Sequence, residues 1–371
     1  MRGNLTMLFK NKLFLIFNLS LLVLLISACS GSTGGKQEEG QEQSTGTSKV
    51  IELDFNNVFP ATHHLAANVF EPMEEVVKEK TDGQLKINFH HSAVLGSVTS
   101  TLDDLNGGLY DMALGVPGYF YDTDLFKLSL LELPFSFENV RDIANVQTKF
   151  MELHGEGVWG DKITYSKVGA ASDPFVIYST KEIRSVDDMK GMKVAVTNDT
   201  WNLVFEEWGV TPVQLDLADL YEGLQRGVID AALWSTVGGM GIKLYEPAPY
   251  IVDLKMYLPI SGPVIRTEAL EKMPEDLRNL FVEDILPEFS EMLVDNYEKQ
   301  EANAWKELEK LVEGKGEIIK LSPEAEKEFK QSAEETWNNW VDQANERGFD
   351  GEQLMNDYKQ IRKELGIELP F

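Results

Sequence analysis

The sequence is poor in cysteine and in positive charge. A single cysteine, Cys29, excludes a disulfide within the chain and leaves one thiol for nucleophilic or metal chemistry. Lysine and arginine number 34 against 61 aspartates and glutamates, a net charge of −27. A surface of that sign repels nucleic acid and anionic lipid headgroups and favours solubility. Chemical signatures are equally scarce. The chain has no Gly-x-Ser-x-Gly elbow, no phosphate loop of the GxxxxGK type and no HExxH metal motif. Nothing in it points to an enzyme or to a resident cofactor.

What is present begins with an address. Arg2, Lys10 and Lys12 precede an apolar run from Leu13 to Ile26, the n-region and h-region of a signal peptide, too short for a transmembrane anchor. The run ends Ile-Ser-Ala-Cys-Ser, which resembles a bacterial lipobox, so residues 1–28 are expected to be removed and Cys29 to carry lipid. Residues 29–48 are rich in Gly, Ser, Thr, Gln and Glu and cannot bury a core, which makes them a flexible tether. The folded body starts near Lys49 and holds about 320 residues, the size of two domains.

That body alternates strands and helices. Ile51, Leu53 and Phe55 alternate as in a strand, and a helix from Thr62 carries Leu65, Val69 and Met73 on one face. Further strands are expected at 85–89, 111–116, 163–170, 175–179, 192–196, 228–234 and 250–254. Helices at 139–153, 200–208, 219–226 and 238–245 separate them, and from Pro274 onward the pattern is long, charged and helical (275–312, 323–347 and 351–365). Such alternation implies an α/β protein with mostly parallel or mixed sheets in two lobes, with a cleft between them. Lobe I takes 49–172 plus about 262–303, and lobe II takes 173–261 plus about 304–371.

His63–His64 and His90–His91 lie near the ends of the first two strands. Adjacent residues on a strand point to opposite faces, so a doublet seldom gives two ligands, and no metal site is expected. Gly155-Glu-Gly-Val-Trp-Gly160 matches GxGxxG formally, but it follows a helix and precedes a strand, the reverse of a dinucleotide site. The aromatic residues are more informative. Tyr119, Phe175, Trp201 and Trp234 each fall at or just past a strand end, where α/β proteins place ligands, although core packing would claim many such rings. Asp173, beside Pro174, reads either as a solvated turn residue or as a cleft acceptor, and Asn198 stands among helix-capping groups. Trp337 and Trp340, one turn apart, read as core.

The segments KEKTDGQLKINF (78–89), SAVLGS (92–97), GGLYDMALGV (107–116), LELPF (131–135), KGMKVAV (190–196) and LYEGLQRGVIDAALW (220–234) occur in this order along the chain. Together they resemble the solute-binding proteins of tripartite ATP-independent periplasmic (TRAP) transporters, over about residues 50–300. The resemblance implies two α/β lobes joined by crossing strands and a long helix that spans both lobes. It implies capture of a small organic solute for an ion-gradient-driven TRAP permease, with no cofactor. The lipid anchor would be the protein's only hold on the membrane. A receptor that reports its ligand to a sensor kinase has the same sequence features, and a surface hydrolase on a two-lobed scaffold is the alternative of another class.

One departure bears on the ligand. Family members commonly carry an arginine two residues after the motif lysine, paired with the ligand's carboxylate. Lys193 is followed at that place by Ala195, Phe175 is the nearest counterpart of a second family arginine, and Leu233 replaces an acidic residue before Trp234. The resemblance then leaves His63, Tyr119, Asp173, Phe175, Asn198, Trp201 and Trp234 as the ligand's surroundings. Aromatic faces and a carboxylate suit a neutral or cationic solute better than a simple carboxylate.

Overall fold

The computed structural model describes residues 50–371 apart from 197–200 and 216. The signal peptide, Cys29, the tether and Asn198 lie outside the described residues. In chain order the strands are Ile51–Asn56 (β1), Leu85–His90 (β2), Met112–Gly115 (β3), Ile163–Tyr165 (β4), Phe175–Ser179 (β5), Lys193–Val196 (β6), Thr211–Gln214 (β7), Ala231–Ser235 (β8), Tyr250–Tyr257 (β9), Gly262–Arg266 (β10) and Glu317–Ile319 (β11). The α-helices are Glu71–Lys80 (α1), Thr101–Gly107 (α2), Val140–His154 (α3), Asn202–Glu207 (α4), Leu217–Gln225 (α5), Thr236–Gly241 (α6), Thr267–Glu271 (α7), Glu275–Leu280 (α8), Leu286–Val312 (α9), Pro323–Gln331 (α10), Glu334–Glu346 (α11) and Gly351–Leu365 (α12).

The strands form two sheets. One has the order β2-β1-β3-β10-β4, with β1 parallel to β2 and β3 while β10 runs antiparallel to β3 and β4. The other has the order β11-β9-β5-β8-β6-β7, in which β6 is parallel to β7 and β8 and β5 is antiparallel to β8 and β9. The alternation read in β1 puts Leu53 and Phe55 into the core, with Phe55 opposite Phe89 of β2. Local chemistry sets the helix ends. Asn139 caps α3 by accepting from Asp142 N at 2.9 Å, Asp350 caps α12 by accepting from Gln353 N at 2.9 Å, and Gly108 ends α2 at a φ of +75° that favours glycine.

Three segments carry the chain between the sheets; those after β4 and after β9 run side by side, and the third, after β10, contains α9. Ala171 pairs with Ile260 in an antiparallel bridge, Ser172 N donates to Pro259 O at 2.8 Å, and Ser261 N donates to Ala170 O at 3.0 Å. This crossing shortens the strand expected over 163–170 to Ile163–Tyr165. α9, 27 residues long, touches β10 of the first sheet and β11 of the second. The closing helices brace both groups: α12 packs on α3, while α10 lies beside the 3-10 turn Val186–Met189 that precedes β6. Trp337 and Trp340 are buried as expected, donating to Pro134 O and to Ser129 Oγ. Among the described residues no helix is long and apolar enough to cross a membrane.

Two helical stretches wind more widely than the periodicity suggests. Ala66–Phe70 and Phe281–Ile285 are π-helical, and each runs straight into a helix with proline in its first turn, Pro72 of α1 and Pro287 of α9. Proline donates no hydrogen bond and crowds the carbonyl four residues back, and a wider turn relieves both effects. The helix expected at 238–245 starts earlier, at Thr236, because Ser235 caps it by accepting from Gly238 N at 3.0 Å. Glycine is required in that helix: a Cβ on Gly239 would lie 2.4 Å from the ring of Tyr178.

Candidate functional site

The crossing segments deliver β5 and β9 to the same place. Phe175 opens β5, Tyr257 ends β9, and the two are paired across the sheet, with Ser235 of β8 on the other side of Phe175. Ring contacts follow from that register. Phe175 lies 4.7 Å from Tyr257 and 5.4 Å from Trp234, and Tyr257 in turn lies 5.5 Å from Trp201, which meets Phe135 at 6.0 Å. Three of the sequence-predicted residues, Phe175, Trp201 and Trp234, thus belong to one line of rings. Tyr257, which completes the line, was missed by the sequence reading. Its one signal there is its place at the end of an apolar strand just ahead of Leu258-Pro259.

Trp201 corrects an expectation. Read as facing a cleft, it is 1% exposed, because its ring sits against Phe135, Phe205 and Tyr257 just ahead of α4. Its indole Nε1 is buried without a hydrogen-bond partner. Trp234 is half-buried and Phe175 buried.

Two carboxyl groups are buried at the crossing segments. Asp173 is not a solvated turn residue. It is 1% exposed, and its Oδ2 accepts from Val237 N at 2.6 Å, tying the crossing segment to the start of α6. Burial pushes its carboxyl up to about 7, against the pull of the Val237 hydrogen bond. Glu132, from the LELPF segment, was also missed. Its Oε1 accepts from Ile260 N at 2.7 Å and its Oε2 from the Tyr121 hydroxyl at 2.6 Å. Burial likewise raises it to about 7, with both hydrogen bonds opposing. The sequence signal was a lone acid inside the apolar run LSLLELPF.

The histidine doublets do not converge. His63 stacks on Phe59 at 4.2 Å, and its Nδ1 accepts from Leu65 N at 3.4 Å. Burial first, and then His64 beside it, lowers its pKa to about 3. His64 pairs with Asn296 Nδ2 at 2.9 Å and meets Tyr297 edge-on, and burial lowers it to about 4. His90 pairs with Asp54 at 2.8 Å and His91 with Asn57 Nδ2 at 2.7 Å. Among the described residues no three of His, Cys, Asp and Glu are grouped to hold a metal ion. The doublet and the crossing meet on α9: Tyr297, beside His64, has its phenol raised by burial and then by Asp173.

Tyr119 stands apart from the line of rings. It is 46% exposed and lines a cavity of about 540 Å³ together with Tyr121 and Trp340. Ala195 is buried in an apolar group with Val176, Tyr178, Leu220, Ile229 and Ala232. Arg184, its neighbour in sequence, is an exposed residue paired with Glu182 and Glu317. Among the described residues Arg362 is the one buried basic side chain, and it donates to Ser136 O and the Tyr358 hydroxyl, away from the crossing.

The profile of the bacterial extracellular solute-binding proteins, family 7, matches residues 55–343. A 2,3-diketo-L-gulonate-binding periplasmic protein of Escherichia coli is 26% identical over 180 residues, 46% of this chain and 51% of that protein. A C4-dicarboxylate-binding periplasmic protein of Vibrio cholerae is 24% identical over 299 residues, 77% of this chain and 85% of that protein. The chain spans about half the length of several of the curated relatives it matches. A TRAP solute-binding protein from Rhodoferax ferrireducens, solved with copurified benzoate, superposes with a TM-score of 0.76 at 20% identity, covering 85% of this chain and 98% of that one. A Bordetella bronchiseptica TRAP periplasmic solute-binding protein with bound mandelate gives 0.73 at 20% identity, covering 85% and 99%. The two mixed sheets, the crossing segments and α9 are the two-lobed fold of these structures.

Proposed function

Because the chain belongs to family 7 of the bacterial extracellular solute-binding proteins, we propose that it captures a small organic solute outside the cytoplasm and hands it to a TRAP-type permease. Residues 49–172 with about 262–303 act as one lobe and 173–261 with about 304–371 as the other, closing by a hinge at the paired crossing segments. Cys29 carries the lipid that holds the protein to the outer face of the cell membrane. No catalytic step is needed, because uptake requires binding that is selective and reversible.

The ligand is not a simple carboxylate in this reading. The observation that carries it is that two carboxyls are buried at the crossing segments, Asp173 just before Phe175 and Glu132 bonded to Ile260 N just after Tyr257, with no buried guanidinium or ammonium beside them among the described residues. An organic anion placed there would meet two desolvated carboxyls that resist ionisation and no cation to offset its own charge. An ammonium group would neutralise the carboxylates and lie against aromatic faces, an attraction worth about 0.5–2 kcal/mol. Ala195 supports the same reading, since a methyl in an apolar group replaces the family's carboxylate clamp. In this reading His63 and Tyr119 belong to the solute's surroundings on the first-sheet side.

The test is a thermal-shift screen of the purified protein against amines, neutral polyols and carboxylates. A ligand at a hundredfold over its Kd stabilises by about 2.7 kcal/mol. A shift with amines or polyols and none with carboxylates is expected. A shift with organic acids alone, weakened by substitution at Phe175 or Trp234, overturns the proposed ligand class and leaves the transport function standing.

A further inference from the structure

The two paired crossing segments are each pinned by a side chain, and both pins are acids. Glu132 accepts from Ile260 N at 2.7 Å, on the segment after β9. Asp173, on the segment after β4, accepts from Val237 N at 2.6 Å, at the start of α6. Between the pins the segments hold each other through the Ala171–Ile260 bridge and the bond from Ser172 N to Pro259 O. The crossing therefore depends on two groups that can lose a proton, and they are 3% and 1% exposed.

The groups that face these acids are neutral or acidic. Around Glu132 stand the Tyr121 hydroxyl at 2.6 Å and the phenol of Tyr119, with Tyr257 beyond Tyr121. Around Asp173 stand Ser235 of β8, Tyr178 of β5, and Tyr297 and Glu301 of α9. Lys255 of β9 pairs with Glu301, at 3.3 Å. Among the described residues neither pin has an ion-pair partner of its own. A buried carboxylate held only by neutral donors is costly, and each pin escapes that cost by leaving its amide for water. A protonated carboxyl, by contrast, still accepts from an amide through its carbonyl oxygen. Burial holds both groups well above the ordinary carboxylate range, against their hydrogen bonds.

We propose that the crossing is a proton-operated joint: with Glu132 and Asp173 protonated the two segments stay pinned, and with both ionised the pins release and water enters. The sign follows from the proton counts. The pinned form keeps its protons up to near neutrality, while the released form gives them up in the ordinary carboxylate range. Rising pH through that window therefore favours release, by up to roughly tenfold per unit for each acid. The bearing of this on solute capture rests on the hinge proposed above, whereas the joint itself does not depend on the ligand class.

Hydrogen exchange of the full chain without solute, read by mass spectrometry at pH 5, 6.5 and 8, tests the joint. Rates are corrected for the intrinsic pH dependence of amide exchange. Protection at 170–174 and 258–262 is expected to fall by roughly tenfold or more from the lowest pH to the highest, with a smaller loss in β1. Glu132→Gln and Asp173→Asn keep an acceptor and remove the charge, and together they are expected to hold crossing protection constant. If Asp173→Asn does not fold, Glu132→Gln alone is expected to remove part of the loss at 258–262. Crossing protection that ignores pH overturns the joint. An equal loss in β1 does so too, because it reports a general loss of stability, and so does an undiminished loss in the variants, which assigns it to other groups. Each of these results leaves the ligand class to the thermal-shift screen.

Discussion

Replacing Glu132 with glutamine isolates the cost of a buried charge at the crossing. The Glu132 carboxyl titrates near 7 in the fold against an ordinary 4.5. Between those values the folded chain holds a proton that the unfolded chain has released. Stability therefore falls as pH rises through that window, and the whole penalty is present above it. At 1.36 kcal/mol per pH unit, ionising this group inside the protein costs about 3 kcal/mol. Glutamine has nearly the same shape and no charge. Its carbonyl can still accept from Ile260 N, while its amide must turn toward a Tyr121 oxygen that previously donated, a rearrangement costing about 1 kcal/mol. Without ligand, Glu132→Gln should be about 2 kcal/mol more stable than wild type at pH 8 and equal or slightly weaker at pH 4.5. Urea unfolding of both proteins at pH 4.5, 6 and 8 reads the gap directly. A gap that does not change with pH, or a variant that falls further behind at pH 8, refutes the reasoning, because either result means that the fold stabilises the ionised carboxylate.

Three further outcomes follow from the packing. Ala195→Arg places a guanidinium among Val176, Tyr178 and Leu220 and should cost about 3 kcal/mol or more; a variant melting at the wild-type temperature would show that the side chain reaches water or ligand. Gly239→Ala brings a methyl to within 2.4 Å of the Tyr178 ring, whose hydroxyl donates to Thr236 O at 2.9 Å, and should cost about 1–3 kcal/mol, seen by circular dichroism as a melt several degrees lower. His64 is held neutral by burial, with its pKa lowered to about 4, so it withdraws stability as pH falls from 6.5 toward 4; His64→Gln should flatten that acid limb, and an unchanged limb would assign it to other groups.

Much of the architecture was legible in the sequence, because period and punctuation are local. The alternation in β1, the cap at Asn139 and the glycine stop at Gly108 each act within a few residues. The site was less legible, because ring directions and burial are set from far along the chain. Trp201 follows polar caps and reads as cleft-facing, yet its position is decided by Phe135 and Tyr257, each more than fifty residues away. Asp173 beside a proline reads as a surface turn, and only the approach of α6 shows what its carboxylate accepts. Glu132 announced itself only as a charge in the wrong place, and Ile260, 128 residues away, accounts for it. The π turns before Pro72 and Pro287 escape any count based on 3.6 residues per turn.

The order of strands has a consequence for how the chain is made. β10 lies between β3 and β4, so the first sheet lacks its interior strand until residues 262–266 have been synthesised, and the second lacks its edge until 317–319. Neither half can finish folding as it emerges. Until then β3 offers a bare edge to any passing strand. Contacts this distant in sequence fold slowly and expose sticky intermediates. A chain exported in the unfolded state would gain from that delay, since folding would wait until translocation had delivered nearly all of it.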